Sequence, residues 1–239
     1  MAHKPLILAV IPARGGSKGV PRKNIKPLCG KPLLSYMLKA AQGSALLTRT
    51  VVSSEDDEIL RVAAQLGGEH AALRRPAQFA TDTAPDIPML QHAIETAEKE
   101  DGVRYDYVAM LHATCPITTT EDIDGTIRML LERPEADSAV SVYQVNEFHP
   151  IKMKRLVDGI LRPYVDGLDE RSTARRQDFE PVYKRNVAIY VSKRDVMMRD
   201  GRVWGDTCLG YVMPEERSVD INTMNDFLLA EAIVKEKQL

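Results

Sequence analysis

Apolar residues run unbroken from Leu6 to Ile11, and a run of this length and β-branched content predicts a strand buried on both faces, as in the middle of a parallel sheet. Pro12 ends it. Behind Pro32, Leu33, Leu34, Met37, Leu38 and Ala41 recur at helical spacing until Gly43 interrupts them. Thr50 to Ser53 reads as a short strand. Ser54 with Asp57 resembles a capping box, opening a helix whose Ile59, Leu60, Ala63 and Leu66 face inward before Gly67-Gly68 stops it. Ala71 to Leu73 is a short strand leading to Arg74-Arg75-Pro76 and a loop ending Ala80-Thr81-Asp82-Thr83, after which Pro85 to Lys99 is helical. An apolar strand over Tyr107–Leu111 ends in the loop His112–Pro116. A helix from about Glu121 to Leu131 and a strand over Ala139–Val145 follow.

The rhythm changes after Asn146. Between His149 and Tyr183, extended pieces (Ile151 to Leu156, Ile160 to Tyr164) alternate with a polar stretch rich in Arg and Asp, which predicts an inserted arm over 147–185 rather than another crossover helix. Asn186 to Val191 and Leu209 to Met213 are strands, and Asn222 is placed to cap a last helix over about Met224 to Lys235. Alternating strands and helices predict one α/β domain over 1–239, with a mainly parallel sheet covered on both faces and right-handed crossovers.

Composition narrows the function. With 239 residues the chain can bury a substantial core, and 32 basic against 34 acidic residues (net −2) argue against nucleic-acid or membrane partners. Local basic clusters are then informative. Cys29, Cys115 and Cys208 are odd in number and widely spaced, with neither a metal pattern nor a disulfide framework, so the reducing cytoplasm is the expected compartment. No leader pattern and no run near twenty apolar residues is found, so neither secretion nor membrane spanning is expected.

The densest cluster follows the first strand, in Ala13-Arg14-Gly15-Gly16-Ser17-Lys18-Gly19-Val20-Pro21-Arg22-Lys23-Asn24. Its glycines let backbone N–H groups approach an anion, and four cations supply the charge that phosphates neutralise. A strand feeding such a loop is where an open α/β sheet takes a nucleotide; the alternative is a solvated basic turn. The segment is neither a standard phosphate loop, lacking Gly-Lys-Ser/Thr, nor a G-x-G-x-x-G fingerprint.

With Ile11-Pro12-Ala13-Arg14-Gly15-Gly16-Ser17-Lys18-Gly19 and Lys23-Asn24, the chain resembles the acylneuraminate cytidylyltransferase family, the CMP-sialic-acid synthetases and related nonulosonate and octulosonate activators. Further matches run in order along nearly the whole chain: Arg75-Pro76, Ala80-Thr81-Asp82-Thr83, His149-Pro150 with Lys152, Arg176-Gln177, Asn186 with Ala188-Ile189-Tyr190, and Ser218-Val219-Asp220-Ile221. The resemblance implies a three-layer Rossmann-like nucleotidyltransferase fold, a Mg²⁺ cofactor, and a homodimer whose arms exchange. The implied reaction is attack by a 2-keto-3-deoxy sugar acid on CTP, giving a CMP-sugar and pyrophosphate.

The same resemblance gives the nucleotide Ala13, Arg14, Gly15, Gly16, Ser17, Lys23, Asn24, Arg75 and Thr81, and gives the sugar acid His112, Lys152, Arg176, Lys184 and Tyr190. Asp220 and Asn222 are the implied metal ligands, and Arg14, Lys23 and Asp220 the implied catalytic residues. Residue chemistry leaves local alternatives: an Asx turn for Asn24, helix caps for Asp82, Thr83, Asp220 and Asn222, a structural imidazole for His112, and a solvated face for Lys152, Arg176 and Lys184.

Departures from the family pattern bear on specificity. Leu111-His112-Ala113-Thr114-Cys115-Pro116 stands where sialic-acid enzymes commonly have Leu-Gln-Pro-Thr-Ser-Pro, and Asp220-Ile221-Asn222 where Asp-Ile-Asp is frequent. Val187 replaces a usual glycine, and Lys184 a usual arginine. Competing expectations are a related nucleotidyltransferase acting on a phosphonate or sugar phosphate, and a nucleotide-binding module without catalysis.

Overall fold

The computed structural model describes residues 4–145, 149–167 and 180–238. The first apolar run becomes β1 (Ile7–Pro12), and because side chains alternate along a strand it feeds two cores: Ile7, Ala9 and Ile11 pack on one face of the sheet, Leu8 and Val10 on the other. A two-residue hairpin, β2 (Pro27–Leu28) and β3 (Lys31–Pro32), precedes α1 (Leu33–Gln42). Then come β4 (Arg49–Ser54), α2 (Asp57–Gly67), β5 (Ala72–Arg74), α3 (Asp86–Asp101), β6 (Tyr107–Leu111), α4 (Thr120–Leu131) and β7 (Ser138–Val145). The arm carries β8 (Lys154–Val157) and β9 (Ile160–Pro163), and the chain returns through β10 (Val182–Lys193), α5 (Arg194–Met198), β11 (Cys208–Val212) and α6 (Met224–Lys237).

The main sheet has the order β11-β7-β10-β6-β1-β4-β5, and among its described strands only β10 runs antiparallel to its neighbours. Helices α1, α2 and α4 cover one face with Leu34, Met37, Ile59, Ile123 and Ile127, and α3 and α5 cover the other with Met89, Leu90, Ile94 and Met197. A third cluster joins α6 to the segment after β1 through Val20, Leu28, Tyr36, Ile221 and Phe227. From β1 the chain moves outward to β4 and β5, then crosses back through α3 to β6 on the other side of β1. Strand order therefore reverses between β1 and β6, and a crevice opens at their carboxyl ends.

Local chemistry corrects two helix caps. Asp56, not Ser54, caps α2, accepting from the Glu58 and Ile59 N–H groups at 3.0 Å each, while the Ser54 hydroxyl accepts from Asp56 N–H. The two-residue offset brings the carboxylate under the two free donors. Likewise Thr223, not Asn222, caps α6 in a reciprocal box with Asp226, whose carboxylate accepts from the Thr223 N–H at 2.7 Å. Asp82 and Thr83 do not cap α3, which starts after Pro85. The short α5 and the β2–β3 hairpin carry too few residues to show a period.

Leu156 lies opposite Leu161 and Val157 opposite Ile160 in the β8–β9 hairpin. The arm's Arg176 and Gln177, and Asn146, lie outside the described residues. In β10 the register against β7 shifts between Arg185 and Tyr190, and within that shift Val187 holds φ +58°. This left-handed backbone explains why glycine suits the position. No described helix is long and apolar enough to cross a membrane.

Candidate active site

The crevice at the β1–β6 boundary is a cleft of about 410 Å³. Of the residues expected to hold a nucleotide, Arg14, Ser17, Lys23, Asn24, Arg75 and Thr81 line it, joined by Asn222 from the opposite rim. Ala13 is buried beneath, its N–H donating to the Ser53 carbonyl at 3.0 Å, which fixes the exit of the chain from β1. The loop is then braced from inside. Buried Asn24 donates its amide to the Arg14 carbonyl at 2.9 Å, so the Asx-type bracing and a place on the cleft wall belong to the same residue.

Gly15 donates its N–H to Glu55 at 2.8 Å, and Glu55 also accepts from the buried Arg75 guanidinium at 3.2 Å. That N–H is committed to a carboxylate of the chain rather than left for an anion. Gly19 is required for a different reason: a Cβ there would stand 2.1 Å from the Asn222 carbonyl oxygen. The loop and the Asp220–Asn222 segment thus close on each other, and Lys23 Nζ donates to the Ile221 carbonyl at 2.6 Å. Burial pushes the Lys23 ammonium below its usual range, with Asp220 opposing the shift. Arg14 and Lys18 both reach Asp82, at 2.7 and 2.5 Å. Their cations share one exposed carboxylate and pull it below the ordinary aspartate range.

Asp220 is not a helix cap. Its carboxylate accepts from the Asn222 amide at 2.7 Å and from the buried Cys115 thiol at 3.9 Å. The thiol's single proton has the Asn186 carbonyl, at 3.6 Å, as its other acceptor, and Asn186 is tied by its side chain to Ser218 at 2.9 Å. The carboxylate is thereby anchored to the sheet. Among the described residues no three acidic, histidine or cysteine side chains are grouped so that they could hold a metal ion by themselves. One carboxylate with a neighbouring amide oxygen fits an ion that takes its other ligands from phosphates and water, as Mg²⁺ commonly does.

His112 follows β6, half-buried, its ring 5.9 Å from that of Tyr190, and neither ring lines the cleft. Burial lowers the imidazole's proton affinity against the pull of Asp86 and Asp220, which keeps the ring neutral near pH 7. Lys152 is exposed in the turn Pro150–Lys152 at the root of the arm, and the Lys184 ammonium lies 5.9 Å from the Tyr143 ring; neither lines the cleft. Asp86, Phe79, Met89 and Thr114 do line it and carried no sequence signal beyond ordinary helix and loop positions. Glu55 was equally silent, since its role depends on contacts with Gly15 and Arg75 that are distant in sequence.

A doubly covered α/β sheet with a cation-lined cleft at its switch point defines a nucleotide-binding enzyme of the nucleotidyltransferase class. Residues 8–213 match the cytidylyltransferase family, and the chain belongs to that family as a CTP-dependent nucleotidyltransferase. It is 29% identical over 233 residues to the post-translational flagellin modification protein B of Campylobacter coli, covering 98% of this chain and 97% of the relative. It is 30% identical over 230 residues to a pseudaminic acid cytidylyltransferase of Campylobacter jejuni subsp. jejuni serotype O:2, covering 95% and 96%. In fold it is similar to a CMP:2-keto-3-deoxy-manno-octonic acid synthetase complexed with CTP, with TM-score 0.73, 16% identity, and 97% and 99% of the two chains covered.

Proposed function

We propose that the protein transfers the cytidylyl group of CTP to the anomeric hydroxyl of a nonulosonic acid, a nine-carbon 2-keto-3-deoxy sugar acid, releasing pyrophosphate. The supporting observation is the cleft itself, with Arg14, Lys18 and Lys23 on one wall and Asp220 behind the facing segment. The full-length relationship to a protein named for pseudaminic acid supports the acceptor class. The hydroxyl oxygen bonds to the α-phosphorus, the bond to the β-phosphate breaks, and the hydroxyl proton is lost. Negative charge gathers on the leaving pyrophosphate, so preorganised cations act where the barrier is set. Arg14 and Lys18 must release Asp82 to do this, which exchanges one anion for another at little electrostatic cost.

Asp220 and Asn222 would hold Mg²⁺, which when bound neutralises phosphate charge and polarises the acceptor hydroxyl. The Asn222 amide and the Cys115 thiol, which both donate to Asp220, would keep it in place for that role. The exposed β8–β9 hairpin supports a homodimer built through the arm.

Pyrophosphate release from each of four nucleoside triphosphates against nonulosonic, octulosonic, phosphonate and sugar-phosphate acceptors tests the reading. Release is expected with CTP and a nonulosonic acid; release with another acceptor alone overturns it, and binding of CTP without release favours a catalytically silent module. In the same assay Asp220→Asn is expected to lose most Mg²⁺-dependent turnover, whereas Asn222→Asp retains it. An unchanged metal profile for Asp220→Asn would remove Asp220 from the metal site.

A further inference from the structure

A hydroxyl that attacks phosphorus must lose its proton as the new bond forms, and the protonated lysines and arginines of the cleft have no lone pair to accept it. A carboxylate is needed. The carboxylates around the cleft differ in what already holds them. Asp82 is paired with Arg14 and Lys18, Glu55 accepts from Gly15 and Arg75, and Asp220 accepts from the Asn222 amide and the Cys115 thiol. Asp86 is different. It lines the cleft, is exposed, and among the described residues has neither a hydrogen bond nor an ion pair.

The fold places it there. Asp86 is the first residue of α3, and Ala84, Pro85, Asp86 and Met89 bring that end of the helix into a lining that also includes Lys23 and Asn222. Its carboxylate does not serve as a helix cap. The charges of Asp86 and Asp220 act on the same two rings, His112 and Tyr190, so both carboxylates stand around one locus. Arg75 feels the charge of Asp86 but is bonded to Glu55. A carboxylate in this cleft opposes a triphosphate and contributes nothing to holding CTP. What it offers is a proton acceptor with both oxygens open.

We infer that Asp86 is the general base of the transfer. Its carboxylate takes the proton of the acceptor hydroxyl as that oxygen bonds to the α-phosphorus, and the bond to the β-phosphate breaks with its electron pair leaving on pyrophosphate. The proton then passes to water, since Asp86 is exposed. This rests on the proposed transfer to a hydroxyl. A phosphonate or sugar phosphate attacks through an oxygen that is already ionised and needs no base.

The test compares wild type, Asp86→Asn and Asp86→Ala in pyrophosphate release from CTP with Mg²⁺ and a nonulosonic acid, and in calorimetric binding of CTP alone. In both variants kcat should fall about hundredfold to ten-thousandfold, the range of a lost general base. Kd for CTP should stay within about twofold of wild type or tighten, because a repelling charge is removed. Formate, a carboxylate small enough for the space left in Asp86→Ala, should raise the turnover of that variant as its concentration rises. It should leave Asp86→Asn unchanged, because the amide fills the space. Added Mg²⁺ should restore neither variant.

If Asp86→Asn keeps the wild-type kcat and only melts earlier, Asp86 serves the dipole of α3 and the inference falls. Weaker CTP binding, or recovery at high Mg²⁺, also overturns it, since either result places the carboxylate on the nucleotide or its metal. No response of Asp86→Ala to formate would reduce Asp86 to a positioning group. In each of these cases wild type still turns over the sugar acid, and the function proposed above stands. If wild type instead releases pyrophosphate only with a phosphonate or sugar phosphate, that function falls and the base falls with it.

Discussion

Lys23 is held by a backbone carbonyl rather than a carboxylate, at 2.6 Å, and burial already strains its charge. An arriving phosphate therefore gains a cation with no ion pair to break, whereas at Arg14 it must displace Asp82. We expect Lys23→Ala and Arg14→Ala to lower kcat by about 2–4 kcal/mol of lost transition-state stabilisation, roughly 30- to 1000-fold, with KM for the sugar acid little changed. Steady-state kinetics with both substrates varied checks this, and turnover within twofold for both variants would remove the loop from phosphate chemistry. His112 presents a different kind of test. A glutamine offers its carbonyl and NH₂ groups together in a geometry an imidazole cannot copy, so His112→Gln should shift the kcat/KM ratio toward N-acetylneuraminate by about 1–3 kcal/mol. Because burial lowers the imidazole's proton affinity in the folded state, the unfolded chain binds that proton more readily. Stability from His112 is full above the ordinary histidine value and is lost as pH falls toward the folded one, a loss that His112→Gln should abolish in acid-side urea titrations.

At the scale of elements, β1, β6 and the helices that cover them were legible because each carries one period over enough residues: Tyr107–Leu111 has the same bounds in the sequence pattern and in the structure. The caps of α2 and α6 were displaced by a residue or two, since Ser54, Asp56, Asn222 and Thr223 are all good cap formers and only backbone geometry chooses among them. The loop after β1 was legible as a cluster of charge and glycine, but its bracing by Glu55 was not, because composition says nothing of which carboxylate reaches Gly15. The shift in β10 shows how a familiar position gains its reason. Val187 holds φ +58° yet packs between the two cores, so strain and burial oppose one another. A non-glycine residue in this region costs about 1–3 kcal/mol, and a fully buried valine contributes about 1.5–3 kcal/mol, of which half-buried Val187 keeps a part. Val187→Gly should therefore lie within about 1 kcal/mol of wild type in urea denaturation, while Val191→Gly, fully buried in extended backbone, should cost about 3 kcal/mol or more. Equal costs would show that the left-handed backbone carries no strain.

The whole molecule carries an imbalance that its own cores do not resolve. The sheet and its helices bury their apolar faces on both sides, yet the β8–β9 hairpin leaves Leu156 at 71% exposure, Leu161 at 68%, Ile160 at 53% and Val157 at 50%. Leu156 and Leu161 pair across one face and Val157 and Ile160 across the other, so the hairpin is apolar on both. A two-stranded ribbon of this kind is marginal alone in water and gains stability when another surface covers it. A second copy of the chain is the occupant proposed above, and a twofold axis would cover both hairpins at once. Leu156→Lys with Leu161→Glu places opposite charges across one face, which keeps the ribbon's own pairing while making its burial costly. In sedimentation velocity the wild-type chain should run at twice its monomer mass and the double variant as a monomer, with far-ultraviolet circular dichroism unchanged. Turnover should fall with the dimer if the arm completes the sugar site of its partner and should survive if the arm only joins the subunits. A wild-type chain that remains monomeric at the concentrations where it is active would show that the hairpin serves some purpose other than self-association.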